Sequence, residues 1–356
     1  MTYRRMALKR ILAAILTAGL LLNTLTGCGE GGFGTKVVLT TGFEKDEIFR
    51  IETNSCKLSE LMVYLTTIQN RYESVFGREI WETRADGMTL EENVKNIALA
   101  QIAQIKTMNL MAEKYEVKLS DEEEARAENA AKAYYETLGE REIELMGVTE
   151  KTIRSLYKEL ARAEKMYQYT IKDINPEISD DEARTITVQH ILIKTYALDG
   201  TGKKIEYTEE AKKDAYRRAV EVMGLAKAGE DFDALIRRYS EDDKATYSFG
   251  KGEMDEAFET AAFNLGTEEI SDVVETEFGY HIIKCINTFD KEETDANKVK
   301  IVEQRREEAF GQEYDAYVET LTRNLNEELW NSVNFIHDED VHTQNFFEIY
   351  TAYFGS

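Results

Sequence analysis

Apolar residues recur at spacings of three and four over long stretches of this chain, which is the pattern of one buried helix face. The first stretch consists of Leu58, Leu61, Met62, Leu65 and Ile68. Two short runs of strand character precede it, at residues 37–39 and 48–51. The pattern therefore predicts two short strands before residue 58 and a helical region after it.

Capping boxes mark two of the following helix starts. Thr89 stands three residues before Glu92, and Ser120 stands three residues before Glu123. In each pair a hydroxyl and a carboxylate can satisfy free amides at a helix N-terminus reciprocally. The predicted helices are 90–115, 121–138 and 150–174.

Pro176 is the only proline of the chain, and it ends the helical region. Proline lacks the amide that a helix needs and restricts the residue before it, so we expect a domain boundary here. Mixed character follows. The predicted elements are a strand at 186–194, a small loop at 199–202, helices at 209–228, 231–239 and 255–265, and a strand at 280–287.

Helical periodicity returns from Asp295 to Asn326. One side of this predicted helix carries Phe310, Tyr314, Tyr317, Leu321 and Leu325. The remaining residues, from Trp330 to Ser356, are aromatic and acidic, and their pattern predicts no element.

The first residues have the features of a secretory signal peptide. Four cations precede an apolar run, from Ile11 to Leu22, that is too short to span a bilayer comfortably. Residues 25–28, Leu-Thr-Gly-Cys, resemble a bacterial lipobox, which implies cleavage of residues 1–27 and a lipid on Cys28. An ordinary secretory signal with an incidental cysteine is the alternative. The glycines of residues 29–34 predict a flexible spacer.

The net charge of the chain limits the kinds of partner that it can bind. The formal net charge is −24, and removal of residues 1–27 takes away four cations and no anions, which gives −28. A chain this acidic would repel a phosphate polymer, so nucleic acid is not an expected partner. Besides Cys28, the cysteines are Cys56 and Cys285, and no disulfide framework is predicted.

Two similar segments each place one histidine inside a run of strand character. They are residues 188–194, Val-Gln-His-Ile-Leu-Ile-Lys, and residues 278–284, Phe-Gly-Tyr-His-Ile-Ile-Lys. Between them lie 239–242, Tyr-Ser-Glu-Asp, and 249–254, Phe-Gly-Lys-Gly-Glu-Met. In this order the segments resemble the parvulin family of peptidyl-prolyl cis/trans isomerases. With the N-terminal features, the chain looks like an extracytoplasmic foldase lipoprotein of the PrsA type.

The resemblance implies an α+β fold in which a parvulin domain, a small antiparallel sheet surrounded by helices, is inserted into a helical chaperone-like domain similar to that of SurA-type foldases. The expected organisation is a signal peptide at 1–27, a lipidated tether with short strands at 28–57, a helical domain at 58–180, the parvulin domain at 181–290, and a C-terminal helix with an acidic aromatic tail at 291–356. The expected location is the outer face of the cell membrane, and the expected clients are exported proteins with X-Pro bonds.

The resemblance also assigns the candidate site. His190 and His281 match the paired histidines of the family, Thr276 matches a hydroxyl that completes their network, and Asp242 falls beside the rotated imide. The residues expected to hold the prolyl ring are Phe249, Met254 and Phe258. Rotation about an imide bond needs no metal or cofactor, because the obstacle is a barrier of about 18–20 kcal/mol from partial double-bond character.

Each assignment has a plainer alternative. A strand histidine is often a core residue, Asp242 could cap a turn, and Met254 and Phe258 are four residues apart, as in core packing. The glycine-rich turn and leucine that the family has before Phe249 are missing, and Glu253 and Glu256 replace the usual glutamine and proline. These departures predict weak or absent turnover on a parvulin fold.

Two other functions are compatible with the pattern. One is a non-catalytic holdase, whose client cradle would be lined by Tyr64, Tyr72, Phe76, Trp81 and Met88. The other is an acidic structural lipoprotein, which the paired histidine segments disfavour. His337 and His342 do not have the spacing of a helical metal pair, so a solvated acidic tail is predicted there.

Overall fold

The structure, a computed structural model, describes residues 42–85, 87–200 and 202–355. The chain forms two compact units. The central unit is Asn175–Arg306, and the helical unit consists of the described residues up to Ile174 and from Glu307 onward. The predicted signal peptide, Cys28 and the predicted strand at 37–39 lie outside the described residues. None of the described helices has both the length and the hydropathy that crossing a bilayer requires.

The elements before the central unit are mainly helices. In chain order they are β1 (Glu47–Ile51), β2 (Asn54–Lys57), α1 (Leu58–Phe76), a 3-10 helix (Arg78–Glu82), β3 (Arg84–Ala85), β4 (Met88–Thr89), α2 (Leu90–Lys114), α3 (Asp121–Tyr135), α4 (Glu140–Met146) and α5 (Glu150–Ile171).

The central unit and the C-terminal region mix strands with helices. Their elements are α6 (Asp180–Ala183), β5 (Ile186–Lys194), β6 (Tyr196–Leu198), β7 (Lys204–Glu206), α7 (Glu209–Lys227), α8 (Phe232–Tyr239), β8 (Thr246–Phe249), α9 (Glu256–Phe263), β9 (Val274–Thr276), β10 (Gly279–Asn287), α10 (Lys291–Val318), β11 (Arg323–Leu325), α11 (Glu327–Ser332) and α12 (Phe346–Phe354).

Both predicted capping boxes are confirmed. Thr89 Oγ1 accepts from the Glu92 amide at 3.1 Å, and the Thr89 amide donates to Glu92 Oε2 at 2.7 Å. Ser120 and Glu123 make the same pair of bonds at 3.2 and 2.6 Å. Each cap contributes about 1 kcal/mol to stability. The starts of α2 and α3 are therefore determined by their own capping side chains.

The C-terminal tail, for which no element was predicted, belongs to the core of the helical unit. Phe346 at the start of α12 is fully buried, and its ring lies 5.2 Å from that of Tyr134 and 4.7 Å from that of Tyr157. The Tyr157 hydroxyl donates to the carbonyl of Phe346 at 2.7 Å. The aromatic residues of this unassigned segment fill the gap between α3 and α5, whereas His337 and His342, for which a solvated acidic segment was predicted, are both exposed.

Buried polar side chains hold the extended part of the tail. Gln69 donates to the carbonyl of Ile336 at 2.8 Å and accepts from its amide at 3.1 Å. Asn70 donates to the carbonyl of Thr343 at 2.9 Å, and one oxygen of Glu142 accepts from the Thr343 amide at 2.7 Å. These side chains satisfy backbone groups that no neighbouring strand reaches.

The predicted helix at 295–326 is wrong at its end. Helix α10 stops at Val318, and β11 pairs antiparallel with β1, placing Leu325 opposite Phe49 and Arg323 opposite Ile51. Pairing with a distant strand outweighs the helical periodicity of Leu321 and Leu325. The predicted helix at 121–138 is likewise too long, since α3 ends at Tyr135 and α4 begins after Gly139.

The holdase prediction required exposed aromatic residues in the helical unit. Tyr64, Tyr72 and Trp81 are instead buried in its core, and Phe76 packs partly buried against them. Met88 alone is well exposed, at 44%. The predicted client cradle is therefore wrong, because these side chains stabilise the unit itself.

The predicted α+β class is confirmed by the central unit. Its antiparallel sheet has the strand order β8-β5-β10-β9. One face packs on α7 and α8 through Ile191 and Ile282, and the other packs on α9 through Val188 and Ile283. Strands β8 and β9, which have only four and three residues, were not predicted.

Candidate active site

Strand alternation and register bring the two histidines of the central unit together. In β5 and β10, residues that alternate with the Ile191 and Ile282 face point toward α9, and both histidines lie on that face. His190 pairs with Ile283 and His281 pairs with Leu192, so the imidazoles are diagonal neighbours. Gly279 begins β10 at φ +136°, where a Cβ atom would overlap the carbonyl oxygen of Ile193. Only glycine fits this start to the strand.

The two imidazoles are buried and joined directly. His190 is 2% exposed and His281 is 5% exposed. Their Nδ1 atoms are 3.0 Å apart, and their rings are nearly parallel, with centroids 5.3 Å apart. A hydrogen bond between two imidazoles requires one Nδ1 to donate and the other to accept.

The outer partners determine which nitrogen donates. His190 Nε2 faces only acceptors, Asp242 Oδ2 at 3.1 Å and the carbonyl of Lys244 at 3.2 Å, so it carries the hydrogen. Nδ1 of a neutral His190 then accepts, and Nδ1 of His281 donates. His281 Nε2 is left to accept from the Thr276 hydroxyl at 2.8 Å.

The chain of hydrogen bonds closes at Thr276. Its hydroxyl oxygen accepts from the Phe278 amide at 3.1 Å, which is consistent with donation of the hydroxyl hydrogen to His281. Every polar atom from Asp242 to Thr276 thus has a partner of the correct type. Such a fully satisfied network orders its members and specifies one arrangement.

Burial favours the neutral form of both rings. Desolvation lowers the pKa of His190, although the Lys244 carbonyl and Asp242 act against it. Desolvation and the neighbouring His190 lower the pKa of His281 to about 4. The hydrogen-bond assignment and these pKa shifts agree that both histidines are uncharged near neutral pH.

Asp242 supplies the anion of the network. Partial burial acts to raise the pKa of this carboxyl, but hydrogen bonds from the Lys244 amide and the Tyr247 hydroxyl, together with His190, outweigh burial and lower it. Oδ1 accepts from the Lys244 amide at 3.3 Å, and Oδ2 accepts from the Tyr247 hydroxyl at 3.0 Å. The hydrogen bond from the Lys244 amide is the turn-capping contact that was predicted as the plainer alternative. Asp242 therefore both caps the turn and contacts His190.

Aromatic rings lie against the imidazole pair. Phe258 from α9 makes edge contacts with His190 and His281 at centroid distances of 5.5 and 5.1 Å. The ring of Phe249 is 6.0 Å from that of Phe258, and Met254 packs partly buried on the same cluster. Phe249 and Phe258 are nearly fully buried. The structure therefore brings all seven predicted catalytic and substrate-binding residues into one region. Phe249 and Phe258 also belong to the hydrophobic core.

The shortened loop before Phe249 is ordered by its own contacts. The His190 amide donates to the carbonyl of Ala245 at 2.9 Å, and β8 then pairs with β5. Glu253, at the position where the family has glutamine, accepts from the Gly250 amide at 3.0 Å. The chain thus replaces a glycine-rich turn with strand pairing and side-chain caps.

Tyr247 is a site residue that was not predicted from the sequence. Besides its bond to Asp242, its ring makes an edge contact with His190 at 5.2 Å. The signal was its position two residues before Phe249, which places both side chains on one face of a strand. Since β8 has only four residues, its alternating pattern was too short to predict a strand.

In the part of the chain that the structure describes, no group of three or more histidine, cysteine or acidic side chains is arranged to hold a metal ion.

Comparisons with known proteins agree with this geometry. A family profile described as the PPIC-type PPIASE domain (Rotamase) matches residues 190–287. Foldase protein PrsA of Staphylococcus aureus (strain bovine RF122 / ET3-1) is 28% identical over 253 residues, which are 67% of this chain and 77% of the relative. The protein of the same name from strain Newman is 27% identical with the same coverage.

Two solved PrsA structures are also similar. The crystal structure from Bacillus subtilis shares 27% identity, covering 76% of this chain and 97% of that chain with a TM-score of 0.25. The structure from Bacillus cereus shares 23% identity, covering 84% and 96% with a TM-score of 0.36.

The matched segment contains both histidine strands and the loop between them. The central unit is therefore a parvulin-type peptidyl-prolyl cis/trans isomerase domain. Outside this domain as well, the chain is similar to the PrsA foldases, since the similarity extends over 67% of its sequence.

Proposed function

We propose that the chain is a lipid-anchored foldase that accelerates X-Pro isomerisation in exported proteins outside the cell membrane. The closed hydrogen-bond chain from Asp242 through the two histidines to Thr276 is the observation that carries the catalytic part. The cationic start, the apolar run and Cys28 support the anchored location.

The proposed catalytic group is Asp242 with the His190 and His281 pair, and Thr276 holds the outer histidine. In the twisted transition state the imide loses its conjugation, its carbonyl becomes ketone-like and its nitrogen becomes pyramidal. A site that holds a fixed polar environment for the moving carbonyl favours that state over the planar one. Two neutral histidines and one carboxylate form such an environment without any proton transfer.

The apolar residues are proposed to hold the prolyl ring. Met254 is the most accessible of the three, since Phe249 and Phe258 are 3% exposed each. Phe258 contacts both imidazoles, so a pyrrolidine on this surface would lie beside the network. Apolar contact of this kind orients a ligand without forming hydrogen bonds to it.

The catalytic proposal is tested by Thr276→Val, which removes the hydroxyl and keeps the shape of the side chain. Loss of the bond to His281 is expected to lower kcat/KM for a proline peptide by about fivefold, since a neutral hydrogen bond contributes roughly 0.5–1.5 kcal/mol. NMR exchange on the peptide measures the rate. Thr276→Ser is the control and should retain the parent rate. A parent chain that fails to accelerate the exchange would refute the proposal.

The location is tested by Cys28→Ala in a bacterial host that processes lipoproteins. The parent should incorporate labelled fatty acid and fractionate with membranes. The variant should lose the label, because the thiol of Cys28 is the proposed site of acylation. Its isomerase rate should equal that of the parent. Labelling of the variant at the parent level would contradict acylation of Cys28.

A further inference from the structure

Tyr247 is half-buried beside Asp242, and its ring makes an edge contact with His190. Its strand β8 pairs with β5 so that Tyr247 lies opposite Val188, two residues before His190. Its hydroxyl is 3.0 Å from Asp242 Oδ2, the same oxygen that accepts from His190 Nε2 at 3.1 Å. Two donors from different strands therefore converge on one carboxylate oxygen.

We propose that Tyr247 is a positioning residue of the isomerase site, whose hydroxyl holds the Asp242 carboxylate against His190. This inference rests on the proposed function, in which Asp242 and His190 act on the substrate. It extends the network by one residue, so that the chain of hydrogen bonds runs from Tyr247 to Thr276.

The geometry of Asp242 explains why a second donor matters. This side chain is 27% exposed, so water can compete for its oxygens. The Lys244 amide holds Oδ1 at 3.3 Å, which is a long bond, and Asp242 lies in a loop and not in a strand. With Tyr247 on Oδ2, the carboxylate is held at both oxygens, and its orientation toward His190 no longer depends on the loop alone.

The tyrosine is suited to remain a donor. Burial and the bond to Asp242 raise the pKa of Tyr247 to about 12, so its hydroxyl keeps its hydrogen near neutral pH. Its ring is also fixed, by the edge contact with His190 and by Lys244 Nζ at 4.5 Å from the ring centroid. A hydroxyl on a ring held from two sides gives a preorganised bond to the carboxylate.

Packing of the ring alone is the competing explanation, and Tyr247→Phe separates the two because it keeps the ring and removes the hydroxyl. We expect kcat, measured by NMR exchange on a proline peptide, to fall about tenfold, as for loss of one hydrogen bond to a charged group. KM should stay within about twofold, since the hydroxyl is directed at Asp242. Tyr207→Phe, at an exposed tyrosine of the same unit, is the matched control and should retain the parent kcat.

A double-mutant cycle with Asp242→Asn tests whether Tyr247 acts through Asp242. If it does, Tyr247→Phe has little further effect in the Asp242→Asn background. The imidazole ¹⁵N spectrum gives a second readout, because the His190 Nε2–H signal should shift or broaden in Tyr247→Phe. Parent-like kcat, additive losses or an unchanged His190 signal would each overturn the positioning role. Parent-like kcat in Asp242→Asn itself would instead overturn the proposed function.

Discussion

Lys106→Met is expected to destabilise the helical unit by about 3–5 kcal/mol, the usual cost of removing one partner from a buried ion pair. Lys106 is 2% exposed, and its ammonium lies 3.0 Å from Glu60 Oε1 and 2.9 Å from Glu159 Oε1. Burial acts to lower the pKa of Lys106, but the carboxylates of Glu159 and Glu60 outweigh it and raise the pKa. Methionine has a similar volume, so the variant leaves the two carboxylates facing each other without a cation.

Tryptophan fluorescence during urea unfolding measures this effect selectively. The chain has two tryptophans, Trp81 and Trp330, and both belong to the helical unit. Lys132→Met is the matched control, because Lys132 has a side chain 69% exposed and lies 3.8 Å from Glu136. Its loss should change the free energy of unfolding by no more than about 0.5 kcal/mol. Equal effects of the two substitutions would show that burial of the cluster is not what makes Lys106 important.

Asp242→Asn is expected to lower kcat/KM for a proline peptide by about 100-fold, the scale seen when one preorganised polar group is removed from an active site. The substitution keeps the shape of the side chain but removes the charge. It also allows an amide nitrogen to face His190 Nε2, which already carries a hydrogen. His190 Nε2 would then keep the Lys244 carbonyl as an acceptor but lose the anionic one.

Asp243→Asn provides the control for this effect. Asp243 is the exposed neighbour in the same loop, so its change alters the net charge equally and leaves the network intact. It should retain the parent rate within about twofold, since exposed charges interact weakly in water. If both variants were equally slow, net charge near the site would explain the loss, and the assigned network would not.

The elements predicted correctly are those that depend on neighbours in sequence. Helices α2, α3 and α5 follow from apolar periodicity and capping residues, and β5 and β10 from long runs of strand-forming residues. The wrong or missing predictions concern segments whose structure depends on contacts with residues that are distant in sequence. Strand β11 forms because β1 offers a partner, and the tail is held by contacts such as that of Asn70 with Thr343, which are 273 residues apart.

The same division holds within the active site. Both histidines, Asp242 and Thr276 were predicted because the segments that contain them resemble those of the parvulin family. Tyr247 was not, because it lies in the loop that departs from the family pattern, and its relation to Asp242 exists only after β8 pairs with β5.

Residue order alone thus predicted the class of domain and most of the side chains proposed for its chemistry, through short motifs that resemble those of the parvulin family. The tertiary structure was needed to show the register of β5 and β10, and with it the direction of each hydrogen bond from Tyr247 to Thr276. It was also needed to show that the aromatic residues of the helical unit are core. Hydrogen-bond direction and burial depend on groups that are distant in sequence and meet only when the chain is folded.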